Sequence, residues 1–282
     1  MTKIALVTDS SCDLSSDLLS KFNIEVVPLR IIYAQTEYRD QVDITPNEVY
    51  DRLDEEVPTT SMPSPQDILE TFEKLADTGY SHCIVISLSS GLSGTYQAFQ
   101  MIAQNFDRMK IDIIDSKGLS WILGFLVLEA AQMIQEQFDY HEILERIKRI
   151  RQKIKGFFIV DTLEYLKKGG RIGKVAATLG SMLNLKPIIT TDDQGLFTPY
   201  QLARGKKQAI KKMVEPLLKQ LESTKASIAI IQGRAEVEAE ALRLRLKDLD
   251  RIGNLYVSPV SPALVVHTGP GLIGIVINPE HS

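Results

Sequence analysis

Hydroxyl side chains crowd a glycine loop at Ser89-Ser90-Gly91-Leu92-Ser93-Gly94-Thr95. The loop follows an apolar run at residues 82–87 that reads as a buried strand, and it opens onto residues 95–106, which read as a helix. The first backbone N–H groups of a helix have no partner within it, so a strand-to-helix loop of this kind favours an anion. Ser93 is the hydroxyl best suited to donate to a bound oxygen, with neighbouring amides such as that of Gly94 sharing the charge. The loop lacks the lysine of a Walker A motif and is not Gly-x-Gly-x-x-Gly. A plain turn explains the glycines; three serines and a threonine in seven residues point to a polar ligand.

Two other places offer groups for the same ligand. Thr60 and Ser61 lie in a loop held by Pro58 and Pro63, whose rings restrict the backbone. Ser64 already serves as N-cap for the helix that follows, which leaves the Thr60 and Ser61 hydroxyls spare. His267, between an apolar run and Gly269-Pro270-Gly271, reads either as a satisfied core histidine or as an imidazole donating to an oxyanion. A serine with a histidine also raises an esterase reading, with Ser93 as nucleophile and His267 as base. However, Gly91-Leu92-Ser93-Gly94-Thr95 has its second glycine one place early and threonine where the last glycine of a Gly-x-Ser-x-Gly elbow belongs. A binding module for another small anion is a third reading.

Two basic turns remain. In Leu166-Lys167-Lys168-Gly169-Gly170-Arg171-Ile172, the lysines and glycines suit a helix C-terminus and leave Arg171 for recognition of a partner or phosphate. In Leu202-Ala203-Arg204-Gly205-Lys206-Lys207, cations stand at a helix start, where the dipole does not favour them.

The elements that position these groups alternate strand and helix in the first half of the chain. Strands are expected at 4–7, 25–33, 82–87 and 111–114. Helices are expected at 14–22, 45–55 (Thr45, Pro46 and Glu48 forming a capping box), 67–76, 95–106, 120–135 and 141–154. Such alternation predicts a parallel sheet covered by helices, with ligands beyond the carboxyl ends of its strands. The second half mixes a hairpin (186–191 and 196–202) with strands at 157–160, 228–231, 255–257 and 272–277. Its helices are expected at 163–168, 173–183, 206–221 and 236–249, an α+β pattern with a mixed or antiparallel sheet. The expectation is an α/β protein of two domains, residues 1–155 and 156–282. Residues 121–131 are apolar nearly all round: a core helix, or one face of a long apolar cavity.

Composition narrows the classes. The 282 residues are 44% hydrophobic and 24% charged with a net charge of −4, so no electrostatic footprint for nucleic acid is present. Two distant cysteines and four scattered histidines suggest neither a metal site nor a disulfide framework. The start does not read as a signal peptide, and the longest apolar run, residues 121–128, is short of the roughly 20 that span a bilayer. A cytoplasmic protein is expected.

In order and spacing, Val7-Thr8-Asp9-Ser10-Ser11-Cys12-Asp13-Leu14, Thr60-Ser61-Met62-Pro63-Ser64, the Ser89–Thr95 loop, Asp115-Ser116, Leu166 to Ile172 and His267-Thr268-Gly269-Pro270-Gly271 together resemble the DegV family. These are the fatty-acid-binding proteins that serve bacterial fatty acid kinase. Met62 stands where a polar residue is usual. The resemblance implies a long-chain fatty acid between two domains, its carboxylate held by Thr60, Ser61, Ser93, Gly94 and His267. Arg171 and Arg204 would face a separate ATP-dependent kinase subunit. It further implies no catalysis by this chain alone, no cofactor or metal, and at most transient membrane contact.

Overall fold

Pro28 divides the first structural unit in two. The computed structural model describes residues 3–178 and 185–280. It begins with β1 (Ile4–Asp9), a 3-10 turn at Ser10–Cys12, α1 (Ser16–Phe22) and β2 (Ile24–Val27). The single strand expected over 25–33 is broken. Pro28 and Leu29 separate β2 from β3 (Arg30–Ile32), which pairs in another sheet with β4 (Glu37–Arg39). A proline has no N–H to give a ladder, so the chain changes sheets there. Next come α2 (Pro46–Arg52) and β5 (Thr59–Ser61), then α3 (Pro65–Asp77), β6 (His82–Ser87), α4 (Thr95–Ala103), β7 (Lys110–Asp115), α5 (Trp121–Gln135) and α6 (Tyr140–Arg151). The segment expected as a loop at 58–65 therefore carries a short strand. Its hydroxyl residues pair with β3, Thr60 opposite Ile31 and Ser61 opposite Arg30.

Four of these strands form a parallel sheet in the order β2-β1-β6-β7. Being parallel, they end on one edge, where Asp9, Ser87 and Asp115 lie. The small antiparallel sheet β4-β3-β5 stands apart from it. Helix α5 is buried along almost its whole length because it is covered on two sides: it touches β1 and β6, and also β8 (Lys155–Ile159) and β13 (Leu272–Pro279). A helix apolar all round needs two such walls.

Between β8 and β13 the chain forms α7 (Glu164–Lys168), a 3-10 turn at Gly173–Thr178, β9 (Leu185–Thr191), β10 (Phe197–Arg204), α8 (Gly205–Leu221), β11 (Ala226–Gly233), α9 (Glu236–Leu246), β12 (Ile252–Pro259) and α10 (Pro262–Thr268). The helix expected over 173–183 is a 3-10 turn as far as Thr178; its remainder lies outside the described residues. The six strands are ordered β10-β9-β8-β13-β11-β12. Only β11 and β12 run parallel, so the sheet is mixed. The apolar run before Gly269 is a helix, α10, with Pro262 at its first turn.

The strand period of two shows in the packing of β13. Ile273, Ile275 and Ile277 join the cluster under α8 and α9, while Leu272 and Val276 join the large cluster around α5. That larger cluster draws side chains from both halves of the chain, Leu6 to Val276.

Candidate functional site

The glycine loop is pinned from three sides. Asp9, fully buried at the end of β1, accepts from Leu88 N at 2.7 Å. Asp115, at the end of β7, accepts from Ser90 N at 3.2 Å and pairs with Lys117 at 2.7 Å. Burial opposes the charge on Asp115, but hydrogen bonds from Lys117 and Ser90 hold its carboxyl below the usual range. From the six-stranded sheet, the β9–β10 turn approaches so closely that Ser89 Oγ donates to Gly195 O at 2.9 Å. Gly195 has φ +77, and a Cβ there would overlap Ser89 Oγ, so only glycine fits. Within the loop, Ser93 Oγ shares a hydrogen bond with Thr95 Oγ1 at 2.8 Å and accepts from Thr95 N at 3.3 Å. Gly94 is the exposed residue just before α4, and Met62 lies 3.4 Å from where its Cβ would stand.

Thr60 is not spare. Its Oγ1 lies 2.7 Å from His267 Nε2, which joins β5 to α10. The histidine is wedged against the end of α7, where a Cβ on Gly169 would fall 2.1 Å from Nδ1. Nδ1 is out of contact with solvent and has no hydrogen-bond partner. Burial, reinforced by the charge of Arg171, pushes the imidazole down to about 4, so the ring is neutral at neutral pH. Arg171 is half-buried rather than fully exposed. Its Nη1 donates to Gly169 O at 2.8 Å and its Nε to Leu92 O at 3.3 Å, tying the turn after α7 to the glycine loop.

Thr60, Ser61, Ser93, Arg171 and His267 line one cavity of about 540 Å³, with Leu29, Leu88, Leu92, Leu119, Phe197, Ala263, Leu264 and Thr268 completing its wall. Leu119, Phe197, Leu264 and Thr268 are shared with a second cavity of about 440 Å³ whose wall is almost wholly apolar, including Ile122, Phe157, Phe158, Ile231, Leu272 and Val276. The room left for the centre of a water molecule is only about 60 Å³ in the first and 30 Å³ in the second, so both are tight. At the polar end, Ser93 and Arg171 also border a surface opening edged by Gly91, Gly94, Gly170 and Gly173. The arrangement is two adjoining tight cavities, the inner almost wholly apolar and the outer bordered by hydroxyls and one arginine.

Of the residues singled out in the sequence, the structure gathers Thr60, Ser61, Ser93, Arg171 and His267 and puts Gly94 at the opening. Arg204 is elsewhere. It is exposed at the far end of β10, seven residues from Phe197, roughly 23 Å along the strand. The esterase constellation does not assemble. Ser93 is bonded to Thr95, His267 to Thr60, and no carboxylate accepts from His267 Nδ1. Among the described residues there is no cluster of metal ligands, and no helix is long and apolar enough to cross a membrane. Sequence reasoning missed the walls: Leu29, Leu119, Phe197, Leu264 and Thr268. The spacing of Leu264 and Thr268, i and i+4, is the one local signal that would have shown them on a shared helix face.

A family model described as an uncharacterised protein of the DegV family matches residues 3–280. The chain belongs to the DegV family. A DegV domain-containing protein of Clostridium acetobutylicum is 43% identical over 277 residues, covering 98% of this chain and 99% of the relative. Among solved structures, a fatty-acid-binding DegV family protein from Thermus thermophilus superposes with a TM-score of 0.91 at 32% identity, covering 99% of this chain and 100% of the other. DegV of Bacillus subtilis, a fatty acid binding protein, gives 0.92 at 27% identity over 99% and 100%. DegV homologues of this chain thus bind fatty acids, and the α/β architecture with its parallel and mixed sheets is that of the family.

Proposed function

We propose that this DegV chain holds a long-chain fatty acid in the two cavities and presents its carboxylate to a separate ATP-dependent fatty acid kinase subunit. One observation carries the reading: an almost wholly apolar cavity adjoins one lined by Ser93, Thr60 and Arg171, the two sharing Leu119, Phe197, Leu264 and Thr268. A carboxylate stripped of water without partners is very costly, and charge-assisted donors offset that cost. Each methylene buried in the apolar cavity contributes about 0.8 kcal/mol, which exceeds ordering costs for a long chain.

His267 has an orienting part in this reading. With Nδ1 unpartnered, the one proton of the neutral ring belongs on Nε2, where it donates to Thr60 Oγ1. The Thr60 hydroxyl proton is then free to donate to the carboxylate. Ser61 and the Gly94 amide complete the head-group contacts. The glycines around the opening leave space for a phosphoryl donor to reach the acid, and the chain has no Walker lysine with which to bring its own nucleotide. Arg171 at the opening and Arg204 on the outer end of β10 face the kinase. The two domains, residues 1–155 and 156–282, close on the acid from either side. The protein is cytoplasmic and non-catalytic, touches the membrane at most transiently, needs no cofactor and does not bind nucleic acid.

Extraction of the purified protein with organic solvent, followed by mass spectrometry, tests the ligand. A near-stoichiometric fatty acid is expected, and an empty or phospholipid-filled protein overturns the reading. Ser93→Ala removes a hydrogen bond to a charged group, worth about 1.5–3 kcal/mol, so retention of the acid should weaken roughly tenfold or more with the fold intact. The kinase step is checked by trapping acyl phosphate with hydroxylamine: product should form with kinase, ATP and loaded protein together, and not when this chain is omitted.

A further inference from the structure

Two buried carboxylates line neither cavity nor the opening and have no evident task in binding. Asp13 and Asp40 are fully buried, and their hydrogen-bond partners are hydroxyls and amides. Asp13 accepts from Ser261 N at 2.9 Å and Asp40 from Ala263 N at 2.9 Å, across sequence separations of 248 and 223 residues. Both therefore hold the amino end of α10. Their other oxygens take Ser120 Oγ and Ser10 Oγ. Burial, and the neighbouring carboxylates, push both groups up to about 7.

The other end of α10 explains them. Six residues on from Ser261, about 9 Å along the helix axis, His267 meets Thr60. Ala263, Leu264 and Thr268 of the same helix line the first cavity. The clamp reaches the wall elsewhere too: Ser10 Oγ, which donates to Asp40, accepts from Leu29 N at 3.0 Å, and Ser120 borders the second cavity. We propose that Asp13 and Asp40 are positioning residues, which pin the start of α10 and thereby set the His267–Thr60 pair in the wall of the first cavity. The inference rests on the fatty-acid reading only in what that pair is for; the placement itself is a property of the protein.

The test compares Asp13→Asn and Asp40→Asn with Glu129→Gln, which alters a partly buried carboxylate on α5 that accepts from Asn278 Nδ2 at 2.7 Å. The readout is the imidazole nitrogen and proton spectrum, recorded on protein stripped of lipid, with His82 and His141 as internal references. The expected result is a displaced His267 signal in the first two variants, an unmoved one in the third, and unmoved references in all. Restoring the acid should then show faster release from the first two and unchanged release from the third. An unmoved His267 signal in both clamp variants overturns the proposal. Should neither fold, Ser10→Ala removes one donor to Asp40 and keeps the carboxyl group in place. A smaller shift of His267 supports the clamp and no shift overturns it. A displaced His267 in a protein that never carries fatty acid would leave the clamp standing and refute the ligand.

Discussion

At the residue scale, the site depends on glycines that let other side chains in. Gly169 has ordinary backbone angles, yet a Cβ there would collide with His267 Nδ1 at 2.1 Å. Gly169→Ala should therefore displace the imidazole and break its contact with Thr60. The expected result is a fall in stability of about 1–3 kcal/mol, as for other overpacked sites, together with faster loss of bound acid. Thermal melting and a retention assay check the two parts. Nothing in the local sequence distinguishes this role from a helix-capping glycine, because the colliding atom belongs to a residue 98 positions away. Ser93 and Thr60 were legible as candidates from residue type and loop context. The Thr60–His267 bond was not, since it joins β5 to α10 across 207 residues.

At the element scale, local rules were reliable where neighbours agree with them. The capping box at Thr45 forms as its sequence implies: Thr45 Oγ1 accepts from Glu48 N at 3.3 Å while Glu48 Oε2 accepts from Thr45 N at 2.8 Å. This cap starts α2, which packs against α10. Thr45→Ala should lower stability by about 1 kcal/mol, seen as a lower urea midpoint with an unchanged slope. The strand at His82–Ser87 and the β9–β10 hairpin stand where alternation and turn residues put them. The misses share a cause. β5 is three residues long and exists because β3 offers it a ladder, and α10 is a seven-residue apolar run whose helical state is held at its start by carboxylates from elsewhere. Neither is long enough to show a period of its own.

At the scale of the whole molecule, the buried carboxylates give the fold a pH dependence. Asp13 and Asp40 ionise near 7 when folded, against 3.8 for the free side chain, so the folded state binds protons that the unfolded chain has lost. Their contribution is fully present below about 3.8 and is lost as the pH rises through 7. His267 acts oppositely: its folded value of about 4 lies below 6.5, so its effect strengthens as the pH rises from 4 to 6.5. Between pH 6.5 and 8 the aspartates act without that opposition. Stability should fall over this window in wild-type protein, and the fall should be shallower in Asp40→Asn; urea unfolding across a pH series checks both. By itself, the sequence determined β1, β6 and β7 of the parallel sheet with most of its helices, the hairpin, the hydroxyl loop and the family, because each is encoded by neighbouring residues or by ordered motifs. Only the tertiary structure decided that residues from both halves of the chain line two adjoining cavities, that Arg171 turns inward while Arg204 stays outside, and that α10 is held from both ends. Those outcomes come from packing between segments distant in sequence, whose shared boundary no local pattern records.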